Sequence, residues 1–322
     1  MKTDMIKIEL LTQKQLNDAL KRHIPIPFPT ETVFGLGAAY DDEKAIEEVF
    51  RLKGRPRNNP LIVHVSNIDM IKLVTQSLSE DAKKLMDAFF PGPLTLVLKK
   101  HARVPDLITA GYDTVAVRMP LHPVAQTLID RVGKPMVAPS ANLSGKPSAT
   151  HSEHVYEDFK GKIPFIIDGE ASMIGIESTI VDMTKKPYTI LRPGHIKKKD
   201  LVAILGDVFD GSSDVIAPGM IHPHYEPTHP LYILEGSDDK IIEFMTKKDR
   251  AVFIGHNRFL EHIPNMVTLG ETEAHMIHAL YHVLRQTSEL DVHEIYTHQI
   301  DDEAYMNRLL KAAKGRIISL KD

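Results

Sequence analysis

Short apolar runs, too brief to be helices, recur through the first two thirds of this chain and limit its fold more than any other feature. Leu61-Ile62-Val63-His64-Val65, Leu94-Thr95-Leu96-Val97-Leu98, Val115-Ala116-Val117-Arg118, Pro135-Met136-Val137-Ala138, Phe165-Ile166-Ile167-Asp168 and Thr179-Ile180-Val181-Asp182 each read as a buried strand. Amphipathic helix candidates lie between some of them. Ser79 suits the cap of a helix carrying Leu85, Met86, Phe89 and Phe90 that Pro91-Gly92-Pro93 stops, and another runs from about Pro123 to Gly133. Strands that follow one another with no helix between them require some antiparallel pairing, so the expected fold is an open, twisted, mixed α/β sheet with helices.

From Gly211 to Pro230 the chain becomes rich in Gly, Ser, Pro and His and loses periodicity, which marks a linker between a domain of residues 1–210 and a smaller one of residues 231–322. The smaller part has its own pattern. Leu231-Tyr232-Ile233-Leu234, Ala251-Val252-Phe253-Ile254, Met266-Val267-Thr268-Leu269, Glu294-Ile295-Tyr296-Thr297 and Arg316-Ile317-Ile318-Ser319-Leu320 predict five strands, with helices after the first, third and fourth. This is the pattern of a Rossmann-like α/β domain, but no G-x-G-x-x-G follows the first strand, so no dinucleotide is inferred.

With 322 residues, 43% of them apolar, the chain can bury cores for two domains. A net charge of -4 argues against a surface that wraps nucleic acid throughout, although a local basic pocket is compatible with it. The absence of Cys excludes disulfides, thiolate metal sites and a Cys nucleophile, and the absence of Trp with only 6% aromatics disfavours a base-stacking platform. Met1-Lys2-Thr3-Asp4-Met5 lacks an apolar signal core, and no run reaches the ~18 apolar residues of a membrane helix. A soluble cytoplasmic protein without a membrane partner is expected.

The chemistry concentrates first at Lys53-Gly54-Arg55-Pro56-Arg57-Asn58-Asn59-Pro60-Leu61. Asp41-Asp42-Glu43 is a helix start, Ile46, Val49 and Phe50 recur at helical spacing, and Gly54 suits the left-handed position past the end, so Lys53 closes the helix. Lys53 alone is explained as a cation at a helix C-terminus. Arg55 and Arg57 are not. In an extended segment alternate residues point the same way, so both guanidinium forks could face one cleft and grip phosphate or carboxylate.

With this segment stand Pro29-Thr30-Glu31-Thr32-Val33-Phe34-Gly35-Leu36, Pro139-Ser140-Ala141-Asn142-Leu143-Ser144-Gly145, Glu177-Ser178-Thr179-Ile180-Val181-Asp182 and Leu191-Arg192-Pro193-Gly194. In this order the motifs closely resemble those of the YrdC-like family, and most fully its two-domain threonylcarbamoyl-AMP synthases. Pro218-Gly219-Met220 and His224-Tyr225-Glu226-Pro227 resemble that family's linker, so the resemblance spans nearly the whole chain. It implies a YrdC-like mixed sheet and an enzyme that condenses L-threonine, bicarbonate and ATP into threonylcarbamoyl-adenylate and pyrophosphate. The product would pass to a separate transferase that modifies adenosine in tRNA.

The resemblance also implies roles. Lys53 and Arg55 would act on the phosphates, with Arg57 adding charge beside them; Asn59, Thr114, Ser140, Ser148, Arg192 and Tyr225 would join Arg55 in binding ATP, and Asn142 and Ser144 belong to the same motif as Ser140. Thr32, His64, Arg118, Ala138, Ser178 and Thr179 would bind L-threonine, Arg118 through the amino-acid carboxylate. Read without the family, Thr32 is a turn hydroxyl, His64 a core histidine and the Ser140 stretch a turn. Arg118 resists so plain a reading, because an arginine inside an apolar strand needs an anionic partner. No G-x-x-x-x-G-K-[ST] loop is present, and Mg²⁺ is expected with ATP without an identifiable protein ligand.

Histidine supplies a rival signal, since His222, His224 and His229 crowd the linker and His275, His278 and His282 share a helical face. The linker lacks a carboxylate framework of metal-site spacing, and the helical face lies opposite Met276, Ile277, Leu280, Val283 and Leu284, so it is expected to be solvated. The alternative to synthesis is an RNA-binding or assembly factor that uses the basic cleft without catalysis. Such a factor needs a broad basic and aromatic surface, which the composition disfavours; direct contact with tRNA is left open.

Overall fold

The computed structural model describes residues 2–211 and 225–320. The chain divides into two compact units, one of Met1–Ser144, Ala149–Met173 and Glu177–His222, the other of Gly145–Ser148, Ile174–Ile176 and Pro223–Asp322. Of the expected linker, Pro218-Gly219-Met220, His222 and His224 lie outside the described residues.

In the first unit, strands run side by side in the order Val208–Asp210, Tyr188–Arg192, Thr179–Asp182, Leu94–Lys99, Thr114–Arg118, Ile62–His64, Met136–Val137, Gly35–Ala39 and Ile26–Phe28. The sheet is mixed. Leu94–Lys99 is antiparallel to Thr114–Arg118 and parallel to Thr179–Asp182, while Ile62–His64 is parallel to Thr114–Arg118 and antiparallel to Met136–Val137. A separate parallel pair joins Asp4–Lys7 to Phe165–Asp168. The helix signals hold: Ser79 accepts from Ala82 N at 3.2 Å to cap Glu80–Phe89, and Gly133 at φ 73° ends Pro123–Val132.

Strand alternation decides where the chemistry sits. Val63, Val65, Leu96, Leu98, Val115 and Val117 enter the main core on one face. Their neighbours Ile62, Val97, Ala116 and Ile180 form a small cluster on the opposite face. His64 and Arg118 share that second face, because Ile62 pairs with Ala116 and His64 with Arg118 in the same register. Two polar side chains therefore leave the sheet together beside a limited apolar patch.

The second unit holds a parallel sheet in the order Met266–Gly270, Ala251–His256, Glu294–His298, Leu231–Glu235 and Ile317–Ser319. Helices Asp238–Thr246, Glu273–Gln286 and Glu303–Ala312 follow the first, third and fourth strands. Leu234, Phe253, Phe259 and Tyr296 fill its core. Of the helical face of His275, His278 and His282 expected to be solvated, His275 is exposed, whereas His278 and His282 are half-buried. A Cβ added at Gly175 would stand 2.4 Å from His278 O, so the Ile174–Ile176 segment lies directly on the helix. Among the described residues no helix is long and apolar enough to cross a membrane.

Candidate active site

A buried ion pair organises the site. Arg118 is 3% exposed and Glu31 0%; Arg118 Nη2 donates to Glu31 Oε1 at 2.6 Å, Nη1 to Thr32 Oγ1 at 2.7 Å, and Nε to Gly92 O at 3.4 Å. Two of the five N–H groups of a guanidinium then remain for another acceptor. Glu31 Oε2 is buried without a hydrogen-bond partner. The pair is neutral as a whole, yet Arg118 keeps two unused N–H donors and Glu31 one unused acceptor oxygen. The turn hydroxyl expected at Thr32 belongs instead to Thr30, whose Oγ1 donates to Val33 O at 2.6 Å and accepts from the backbone N–H groups of Thr32 and Val33. Thr32 Oγ1 lies 3.0 Å from Thr30 Oγ1, to which it donates, and it accepts from Arg118.

His64 stands beside this pair. Burial, and next the Arg118 charge, push its imidazole down to about 3, so it is neutral at physiological pH. Nδ1 lies 3.3 Å from Ile62 O, which can only accept, so Nδ1 carries the proton and Nε2 is the acceptor. Ala138, 5% exposed, donates its N–H to Ile62 O at 3.0 Å and completes this end.

The cationic segment lies at the end of the helix Glu43–Lys53, which Asp42 caps and Gly54 closes at φ 63°. Lys53 is 3% exposed, and its Nζ donates to Asn142 O at 2.6 Å and to Ser140 O. Ser144 N returns a bond to Lys53 O at 2.8 Å, so this lysine fixes the Ser140–Ser144 loop. Within the loop Ser140 Oγ donates to Asn142 Oδ1 at 2.6 Å. Arg55 is tied back to Pro60 O at 2.8 Å and Asn59 O at 3.3 Å. Arg57 departs from the expectation that both forks face one cleft: the segment is a turn, closed by Asn59 N to Pro56 O at 3.2 Å, and Arg57 points to the exposed Glu47 at 3.5 Å. Pro56 initiates that turn, which destroys the alternation an extended segment would have had.

Thr114 borders a small cavity with Pro60 and Ala116. It lies at the opposite end of the strand from Arg118, about 13 Å away at strand rise. The same sheet face thus runs from the Arg55–Pro60 side to the Arg118–His64 side. Ser178 links two sets assigned to different ligands: its Oγ bonds Thr95 Oγ1 at 2.7 Å and accepts from Arg192 Nη2 at 3.1 Å, while its carbonyl accepts from Arg192 Nε at 3.0 Å. Thr179 Oγ1 donates to Ile196 O at 2.8 Å, a local structural bond. Gly194 is required here, since a Cβ would lie 2.4 Å from Thr179 N and 2.7 Å from Ser178 C.

Ser148 and Tyr225 belong to the second unit. Ser148 is fully buried in the Gly145–Ser148 segment, which is held by Arg285 Nη2 to Pro147 O at 2.8 Å and Glu226 N to Gly145 O at 2.8 Å. Tyr225 has φ 68° and stacks on Tyr281 with ring centroids 5.0 Å apart. It is 5% exposed, so it is no solvated tether residue. Sequence reasoning passed over Glu31 and Thr95. The signal for Glu31 was present: it is an acid inside the Pro29–Leu36 motif, and Arg118 required an anion.

Residues 18–194 match the Sua5/YciO/YrdC family model, described as telomere recombination, and residues 196–314 match the model of the threonylcarbamoyl-AMP synthase C-terminal domain. The threonylcarbamoyl-AMP synthase of Pyrococcus abyssi is 40% identical over 314 residues, covering 92% of both chains. That of Bacillus subtilis is 39% identical over 323 residues, covering 93% of this chain and 92% of its own. The crystal structure of P. abyssi Sua5 complexed with L-threonine superposes with a TM-score of 0.90 at 37% identity, over 99% of each chain.

Proposed function

The chain belongs to the two-domain Sua5 branch of the YrdC-like family and is a threonylcarbamoyl-AMP synthase of the tRNA-modification system, and we propose that Arg118, Glu31, Thr32 and His64 hold its L-threonine while Lys53, Arg55 and Arg192 serve its ATP. The observation that carries this reading is the neutral Arg118–Glu31 pair, with two unused donors on the guanidinium and one unused oxygen on the carboxylate. An amino-acid zwitterion is its complement. The two spare N–H groups of Arg118 take the α-carboxylate, and Glu31 Oε2 takes the α-ammonium. His64 Nε2 is an acceptor suited to the threonine hydroxyl, and Ala138 bounds the space for the methyl group.

The amine must lose a proton before it can add to the carbon of bicarbonate-derived CO₂. Glu31 Oε2 receives it: the N–H bond breaks, its electron pair stays on nitrogen, and an O–H bond forms on the carboxylate; the second proton, lost from nitrogen as the N–C bond forms, balances the one consumed when bicarbonate loses water to give CO₂. The carbamate oxygen then displaces pyrophosphate at the α-phosphorus. Charge moves onto the leaving group in that step, and Arg55 and Lys53 offset it from fixed positions. Thr114, Asn59 and Ser140 line the nucleotide end. The donor set of Lys53, Arg55, Asn59, Ser140 and Arg192 contains no carboxylate and fits phosphate oxygens; it does not fit Mg²⁺, which enters with ATP as part of the substrate. The product is handed to a separate tRNA-modifying transferase.

The test is pyrophosphate release from ATP with L-threonine and bicarbonate supplied singly and together. Release is expected only with both. Arg118→Ala should raise the threonine KM and Arg55→Ala the ATP KM; release that ignores either co-substrate, or both variants losing only threonine affinity, overturns the assignment.

A further inference from the structure

The first unit carries a second concave site that shares no lining residue with the one described above. It is a cavity of about 400 Å³ bounded by the turn Arg22–Pro25, one face of the helix Glu43–Lys53, and Lys162–Pro164. Lys44, Glu48 and Leu52 line it at four-residue spacing along the helix, and Ile24, Pro25, Ile163 and Pro164 supply an apolar floor.

Its charge is predominantly positive. Arg22, Lys44 and Lys162 meet here, and among the described residues none of them forms an ion pair; Lys162 Nζ donates to Asp158 O at 3.0 Å and lies 5.9 Å from the centre of the Phe159 ring. Some other exposed lysines are matched, as in Lys72–Asp69, Lys83–Glu80 and Lys134–Asp41. The single acid of the lining, Glu48, is already held by Arg51, whose Nε lies 2.7 Å from Oε2. The site is therefore a cationic rim over an apolar floor in a protein of net charge -4.

Its wall is also held at a conformational cost. His23 ends the helix Gln13–Lys21 at φ 56°, where glycine is the usual residue, with His23 N bonded to Leu20 O and Ile24 N to Ala19 O, each at 3.0 Å. Its Nδ1 lies 2.9 Å from both oxygens of Asp42, the cap of the next helix. That contact pins the Arg22–Pro25 turn against the helix that carries Lys44.

We propose that this cavity binds a phosphate ester, its phosphate held by Arg22, Lys44 and Lys162 and its nucleoside resting on the apolar floor. The volume falls in the range of small-molecule sites, and cations without an acidic partner beside a largely buried aliphatic floor match a nucleotide better than an inorganic ion. The ester could be free in solution or part of an RNA chain.

The experiment compares the full chain with the Arg22→Ala/Lys44→Ala/Lys162→Ala variant, all three positions being exposed. AMP is titrated calorimetrically, and a short single-stranded RNA is titrated by fluorescence anisotropy. Two AMP sites in the wild type and one in the variant, with unchanged pyrophosphate release, establish the site for a free nucleotide. RNA binding weakened at least tenfold in the variant, without loss of an AMP site, assigns the same phosphate contacts to RNA. AMP stoichiometry and RNA affinity both equal to wild type overturn the proposal. The proposed active site is read separately, through Arg55→Ala, which should leave the triple-variant-sensitive AMP site intact.

Discussion

Replacing Glu31 by Gln tests the zwitterion argument directly, because it keeps the shape and an acceptor but removes the charge facing Arg118. The side chains of the pair are 4% and 1% exposed, so water screens the interaction little. A hydrogen bond to a charged partner contributes about 1.5–3 kcal/mol and a neutral one about 0.5–1.5 kcal/mol, so the exchange should cost folding about 1–2 kcal/mol. Glu31→Ala, which leaves the guanidinium buried without its anion, should cost about 3–5 kcal/mol. The larger signal is in the substrate. Losing the charge-assisted bond from Oε2 to the threonine ammonium should raise the threonine KM roughly 10- to 150-fold, the equivalent of about 1.5–3 kcal/mol, with the ATP KM within about threefold of wild type. The assay is pyrophosphate release at saturating ATP across a threonine titration, with thermal unfolding measured on the same preparations. A variant that loses stability but keeps the wild-type threonine KM would falsify the ammonium contact and leave Glu31 only as the partner of Arg118.

Three further outcomes are expected. His64 has a folded pKa of about 3 against 6.5 for the free group, so its contribution to stability is whole above pH 6.5 and is lost as pH falls toward 3, with about 2 kcal/mol gone at pH 5. Denaturant unfolding of wild type and His64→Gln between pH 7 and pH 4.5 checks this, and equal slopes for the two would refute it. Gly194→Ala drives a Cβ into the backbone at Thr179 and Ser178, and should cost about 1–3 kcal/mol while displacing Arg192 from Ser178; an unaltered melting temperature and an unaltered ATP KM would contradict it. Tyr225→Ala removes a buried ring stacked on Tyr281 and should destabilise the second unit, whereas Tyr225→Phe should restore its stability. A wild-type melting temperature for Tyr225→Ala would contradict it.

What the sequence disclosed was chiefly local. The end of the helix at Lys53, the left-handed Gly54, the Ser79 cap and the five strands of the second unit follow from spacing and turn chemistry, and all are present. Strand alternation also put His64 and Arg118 on one face once their pairing was known. That pairing itself was hidden, because register between distant strands is set by the whole sheet and not by either run. Glu31 and Arg118 meet across 87 residues, a contact no local period encodes, although the need of a buried guanidinium for an anion was legible. Arg57 failed for the opposite reason, a local one: the turn at Pro56 outweighed the extended conformation on which its orientation depended.

The parallel pairing of Asp4–Lys7 with Phe165–Asp168 bears on how the chain is made. Thr3 Oγ1 reaches Ile163 O across 160 residues, so this strand, made early, finds its neighbour only after the later segment has emerged from the ribosome. At about 5–20 residues per second that is a wait of roughly 8–30 s for the nascent chain. The strand is suited to waiting. Its residues stay largely exposed even in the finished fold, and Asp4 and Lys7 at its two ends place charge on an edge that would otherwise invite another chain.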